Sequence, residues 1–87
     1  MLRYLPKWIL RRAKTLWGSF GSRKFTFAEA EKALDGDDSR MVAVVLSELK
    51  RSGWLDASAD AEHARKKLYR FTHSETMKEV VKIEIVD

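Results

Sequence analysis

The sequence predicts an α+β fold, mostly helical: three helices, then a β-hairpin, then a C-terminal helix or strand. Three observations carry this. First, Val42, Val45, Leu46 and Leu49 are spaced i, i+3, i+4 and i+7, one apolar stripe of an α-helix running to Gly53. Second, Thr26 and Glu29 have the S/T-x-x-E spacing of a capping box, so another helix starts shortly before that one. Third, two β-prone runs follow Gly53, separated by a loop of small and polar residues.

The chain has 87 residues, a length suited to one domain spanning 1–87, and 45% of them are apolar against 34% charged, a globular rather than a disordered composition. It has no cysteine, which excludes a disulfide framework and a thiolate zinc site. No apolar run approaches the roughly 20 residues that span a bilayer. Lys7, Arg11 and Arg12 interrupt the N-terminal apolar stretch, so it does not read as a signal peptide. A cytoplasmic protein is expected.

The net charge of +4 is unevenly placed. Residues 1–28 carry seven Lys or Arg and no acid, residues 29–62 carry nine acids against four bases, and residues 63–87 carry six bases against four acids. Attraction to nucleic acid or an anionic surface therefore belongs to the two ends of the chain more than to its middle.

Taken in order, residues 4–20 read as a first helix with Pro6 in its first turn, where the missing N–H is no loss. Leu5, Ile9, Ala13, Leu16 and Phe20 form its apolar stripe, Trp8 and Trp17 its edges, and Lys7, Arg11 and Lys14 its far side. That far side suits a solvated face, phosphate contact or a membrane surface. Gly18 and Gly21 end the helix. Phe25, Thr26 and Phe27 form a short β-prone step into a second helix, 27–34.

Asp35, Gly36, Asp37 and Asp38 then make a turn. A calcium loop begun at Asp35 would need Glu at its twelfth place, which is Leu46, so no metal is expected there; the acids favour the positive end of the next helix instead. That third helix, 39–52, has Ser39 as its expected N-cap and Gly53 as its left-handed exit. Its outer face carries Arg40, Ser47 and Arg51, with Val44 beside them and Ala43 and Lys50 on one flank.

The hairpin occupies 54–72. Trp54, Leu55 and Asp56 form one strand, residues 57–64 a loop, and residues 65–72 a second strand in which Lys67, Tyr69 and Phe71 alternate with Leu68 and Arg70. The basic run Arg65, Lys66 and Lys67 is expected at the root of this hairpin. Residues 73–87 start with a second capping spacing, Thr72 to Glu75, and are expected to form a short helix ending near Val81 and then a strand.

Short capped helix, turn, longer helix and hairpin are the order of a helix-turn-helix followed by a wing. The run Leu49-Lys50-Arg51-Ser52-Gly53-Trp54-Leu55, then Asp60, Arg65 and Tyr69-Arg70-Phe71-Thr72, resembles the helix-into-wing segment of winged helix-turn-helix regulators of the MarR-like type. Those read L-x-x-x-G-Φ-Φ, an Asp–Arg wing tip, and a strand closing in Leu-Thr. The resemblance covers roughly residues 25–72. Two features depart from it: the arginine expected just after the Φ-Φ pair falls at Ala57, and Asp60 and Arg65 are further apart than an Asp-x-Arg tip. The chain is also shorter than one carrying long dimerisation helices at both ends.

The resemblance implies double-stranded DNA as partner, with helix 39–52 in the major groove and the wing on the backbone. Arg40 and Arg51 suit guanine edges or phosphates, Ser47 a base edge or phosphate, and Ala43 or Val44 a thymine methyl. Ser39, Lys50, Arg65, Lys66 and Lys67 complete the candidate contact set and supply position more than sequence information. Glu48, Asp60 and Glu62 oppose this reading where they face a duplex. A homodimer through helix 1 and the C-terminal segment is expected. The other reading is a winged-helix protein–protein module, favoured by the acidic middle and by an exposed Met41 and Val44. His63 and His73 have no nucleophile or phosphate loop near them, so no catalytic residue, cofactor or enzyme activity is expected.

Overall fold

The computed structural model describes residues 5–62 and 66–73. Its elements run α1 (Lys7–Phe20), β1 (Phe25–Thr26), α2 (Phe27–Ala33), α3 (Ser39–Arg51), β2 (Leu55–Ala59) and β3 (Lys67–Phe71). Tyr4, Arg65 and the C-terminal helix or strand expected over 73–87 lie outside the described residues, apart from His73.

Helix α1 starts at Lys7 rather than within residues 4–6, because Pro6 is extended (φ −64°, ψ 155°) and acts as the N-cap residue. Its carbonyl accepts from the N–H groups of Ile9 and Leu10, each at 3.0 Å. Gly18 stays inside the helix. The chain turns at Gly21, whose φ of 58° suits a residue without Cβ and whose N–H donates to the Trp17 carbonyl at 2.8 Å.

The capping box at α2 is complete: the Glu29 N–H donates to Thr26 Oγ1 at 3.2 Å and the Thr26 N–H to Glu29 Oε1 at 3.0 Å. At α3 the cap is displaced by one residue from the expected Ser39. Asp38 is the N-cap, its Oδ1 accepting from the Met41 N–H at 2.8 Å, while the Ser39 hydroxyl donates to the Glu31 carboxylate of α2. A carboxylate is the stronger acceptor at the positive end of a helix. The other end is a Schellman motif. The Trp54 N–H donates to the Leu49 carbonyl at 2.9 Å and the Gly53 N–H to the Lys50 carbonyl at 3.1 Å, with Gly53 at φ 85°.

The three strands form an antiparallel sheet in the order β1-β3-β2. The two-residue step at Phe25 pairs with Tyr69, which makes it a strand, and β2 runs on to Ala59 because β3 pairs it all the way. Leu55 opposite Phe71 closes the root, helped by Thr72, whose N–H donates to the Trp54 carbonyl (3.1 Å) and whose Oγ1 donates to the Gly53 carbonyl (2.9 Å). Lys67 opposite Ala59 lies at the far end. Lys66 and Lys67 therefore stand at the tip side of the hairpin, not at its root, a placement set by register.

The core joins Leu5, Ile9, Ala13 and Leu16 to Ala30 and Leu34, to Val42, Val45, Leu46 and Leu49, and to Phe25, Trp54, Leu55 and Phe71. Phe25 is its aromatic centre, stacked on Phe20 at 4.5 Å and close to Tyr69 and Phe71. One charged link pins α1 to the α2–α3 turn. Arg12 Nε and Nη2 donate to the two Asp37 carboxylate oxygens at 2.9 and 3.0 Å, and Nη1 donates to the Trp8 carbonyl at 2.8 Å. The hydrogen bond to Asp37 raises the Arg12 pKa above its ordinary value, against the opposing effect of burial. Asp37 thus holds an arginine and Asp38 a helix end.

Candidate nucleic-acid interface

Burying Val42, Val45, Leu46 and Leu49 against the core turns the opposite side of α3 outward. At 100° per residue, Arg40, Val44, Ser47 and Arg51 share one narrow strip of that side, and all four are exposed. Val44 is 42% exposed, an apolar side chain held in water between polar neighbours. From Arg40 to Arg51 the strip is roughly 16 Å long at 1.5 Å per residue. Ala43 and Lys50 are exposed on the flank that faces the hairpin.

Glu48 is turned along the helix, its Oε1 lying 3.3 Å from Arg51 Nη1. With 62% of the Arg51 side chain exposed, this pair is weak and leaves Arg51 able to exchange partners. Ser39 is exposed at the start of α3, with its hydroxyl engaged by Glu31. Met41, expected at the surface, is half-buried against the core.

On the hairpin, Lys66 and Lys67 are exposed. The Lys66 carbonyl accepts from the Asp60 N–H at 2.9 Å, and the Asp60 carboxylate accepts from the Glu62 N–H at 2.9 Å. This local turn engages Asp60 within the loop. Arg65 lies outside the described residues, as does His63.

The helix and the hairpin meet at a cleft of about 170 Å³ lined by Phe27, Ala43, Leu46, Ser47, Lys50, Lys67 and Tyr69. The fold thus brings four expected contact residues, Ala43, Ser47, Lys50 and Lys67, to one place; Arg40 and Ser39 belong to the other end of α3. Sequence reasoning missed Tyr69 as a lining residue, because its place beside the helix follows only from the pairing of β3 with β1. It also missed the link between Arg12 and Asp37, which no local pattern signals.

The architecture is shared with solved structures of bacterial proteins. The adhesin competence repressor AdcR of Streptococcus pyogenes matches with a TM-score of 0.63 and 19% identity, over 85% of this chain and 51% of that one. BpsR of Bordetella bronchiseptica, whose DNA binding is regulated by 6-hydroxynicotinic acid, matches with a TM-score of 0.62 and 20% identity, over 91% and 55%. The PcaV transcriptional regulator of Streptomyces coelicolor matches with a TM-score of 0.61 and 21% identity, over 92% and 51%. The fold is a winged helix-turn-helix. In this winged helix α2 and α3 form the helix-turn-helix, and β2 and β3 form the wing.

By sequence, the winged helix is 35% identical over 72 residues to the methylase subunit of the type I restriction enzyme MjaVII of Methanocaldococcus jannaschii. That match covers 80% of this chain but 12% of the subunit. The chain likewise spans about half the length of the three regulators. No family model matches it. Among the described residues, no helix is long and apolar enough to cross a membrane.

Proposed function

We propose that this winged helix binds double-stranded DNA as part of a transcriptional regulator, with α3 in the major groove and the wing along the backbone. The observation that carries the reading is the exposed strip Arg40, Val44, Ser47 and Arg51, lying beside a cleft that Lys50 and Lys67 both line. A helix presenting arginines, a hydroxyl and a small apolar side chain has the groups that distinguish base edges in the major groove. Arg40 and Arg51 serve guanine edges or phosphates, Ser47 a base edge or phosphate, and Ala43 or Val44 a thymine methyl. Lys50, Arg65, Lys66 and Lys67 supply affinity through phosphates.

The names of the structural neighbours, a repressor, a regulated DNA-binding protein and a transcriptional regulator, support this role. The similarity to part of a type I restriction enzyme methylase subunit is consistent with DNA contact and is neutral on the regulator role. A protein-contact role for α3 is less well served, since Met41 is half-buried and Val44 is the one large apolar side chain of α3 among the described residues that is exposed. The reading further implies a cytoplasmic homodimer joined through α1 and the C-terminal segment, with Trp8, 38% exposed on α1, as a ready anchor.

The test is duplex binding followed by fluorescence anisotropy across a salt series. Binding through several phosphates gives an affinity that falls steeply with salt. Replacing Arg40 and Arg51 together by Glu abolishes this affinity if α3 is the reading element. Unchanged binding in that variant overturns the assignment of α3. Sedimentation of the full chain checks the dimer.

A further inference from the structure

Charge is not spread evenly along α3. Its N-terminal end is bordered by Asp35 and by Glu31, which holds Ser39, and the amide of Met41 in its first turn is taken by the capping Asp38. Carboxylates there repel phosphate and occupy the dipole end that would otherwise attract it. The cleft beside the C-terminal half of α3 is the opposite. None of its seven lining residues is acidic, and two of them are lysines contributed by different elements, Lys50 from α3 and Lys67 from β3.

Among the described residues, no ion pair or hydrogen bond engages either lysine side chain. Two like charges lining one small cleft repel each other, and an anion bound there is attracted by both. Phe27 and Leu46 give the cleft apolar walls, which weaken screening by water. Ser47 and Tyr69 add hydroxyl donors to the same lining. A volume of about 170 Å³ is several times that of a water molecule, enough for a tetrahedral anion.

We propose that this cleft seats one backbone phosphodiester of duplex DNA, held jointly by Lys50 of α3 and Lys67 of β3. The proposal rests on the DNA-binding reading and adds that helix and wing share a single phosphate. Binding then fixes the wing against α3, and the phosphate grip lies at the C-terminal half of α3 rather than at its acid-bordered start.

The experiment uses the full chain, a labelled duplex of mixed sequence, and the variants Lys50→Met, Lys67→Met and the double variant. Both lysines are exposed, and far-UV circular dichroism checks that the variants fold. The readout is the slope of log Kobs against log salt, to which each neutralised phosphate contributes about 0.9. A shared phosphate predicts that the double variant loses about 0.9 from the wild-type slope, with affinity losses that do not multiply. Independent lysines lose about 1.8, with losses that multiply to within about twofold, and that result overturns the shared seat while leaving the DNA reading intact. An unchanged slope overturns it too. A wild-type protein without salt-dependent affinity overturns both readings. Inorganic phosphate, titrated at matched ionic strength while the Lys67 and Tyr69 amide resonances are followed, separates the two sources of the anion. A backbone seat predicts that any phosphate-induced shift is reversed when duplex DNA is added; a saturable shift, lost in Lys50→Met, that persists in saturating duplex assigns the cleft to a free phosphate ligand and overturns the proposal.

Discussion

Replacing Arg12 or Asp37 by Ala tests how α1 is fastened to the helix-turn-helix. The pair is bidentate, with bonds of 2.9 and 3.0 Å and side chains 27% and 19% exposed. Fully exposed ion pairs contribute roughly 0.2–1 kcal/mol, and hydrogen bonds to charged groups about 1.5–3 kcal/mol. Partial burial puts the coupling between Arg12 and Asp37 at about 1–2 kcal/mol. Arg12→Ala also loses the bond to the Trp8 carbonyl and the contact with the Trp8 ring at 5.7 Å, the latter about 0.5–1 kcal/mol at an exposed site. Asp37→Ala is therefore expected to cost about 1–2 kcal/mol and Arg12→Ala about 2–3 kcal/mol. Urea unfolding of both single variants and the double variant measures the coupling. For a domain of this size, 1 kcal/mol corresponds to roughly 4–8 °C in Tm. Single-variant losses that add to the double-variant loss within about 0.3–0.5 kcal/mol refute a fastening role.

Three further outcomes are expected from thermal or urea unfolding. Asp38→Ala loses the α3 cap and costs about 1 kcal/mol, whereas Ser39→Ala costs less than about 0.5 kcal/mol because Ser39 is not the cap; the reverse order would restore Ser39 as the cap. Gly53→Ala puts a Cβ at φ 85° and costs about 1–2 kcal/mol, and a neutral result would contradict the left-handed exit. Leu49→Ala opens the fully buried centre of the α3 stripe and costs roughly 2.7–5 kcal/mol, far above any surface substitution on the same helix.

Local chemistry made much of this fold legible. The Thr26–Glu29 box, the α3 stripe and the Gly53 exit each depend on residues within one or two turns of each other, and each is found as read. Features that depend on partners distant in sequence were not legible in this way. Asp38 and Ser39 are both good caps, and the sequence cannot say which is taken until Glu31 of α2 is seen to engage Ser39. The residues Ala57, Ser58 and Ala59 have no strand signature of their own; β3 imposes extension on them. The same register carries Lys66 and Lys67 to the tip of the hairpin and Tyr69 to the cleft. Arg12 and Asp37 meet only because α1 packs across the turn. For the candidate interface, the face of α3 was readable from periodicity, whereas the placing of Lys50 and Lys67 along one cleft required the tertiary structure.

In the proposed complex the exposed face of α3 and the adjoining wing, rather than the basic side of α1, contact DNA. Titrating a duplex into isotopically labelled protein and following every amide resonance tests it most directly. Contact through α3 and the wing gives shifts centred on Arg40, Ala43, Val44, Ser47, Lys50, Arg51, Lys66 and Lys67, with little change at Lys7 and Lys14. Shifts centred on Lys7 and Lys14, with α3 silent, would contradict it.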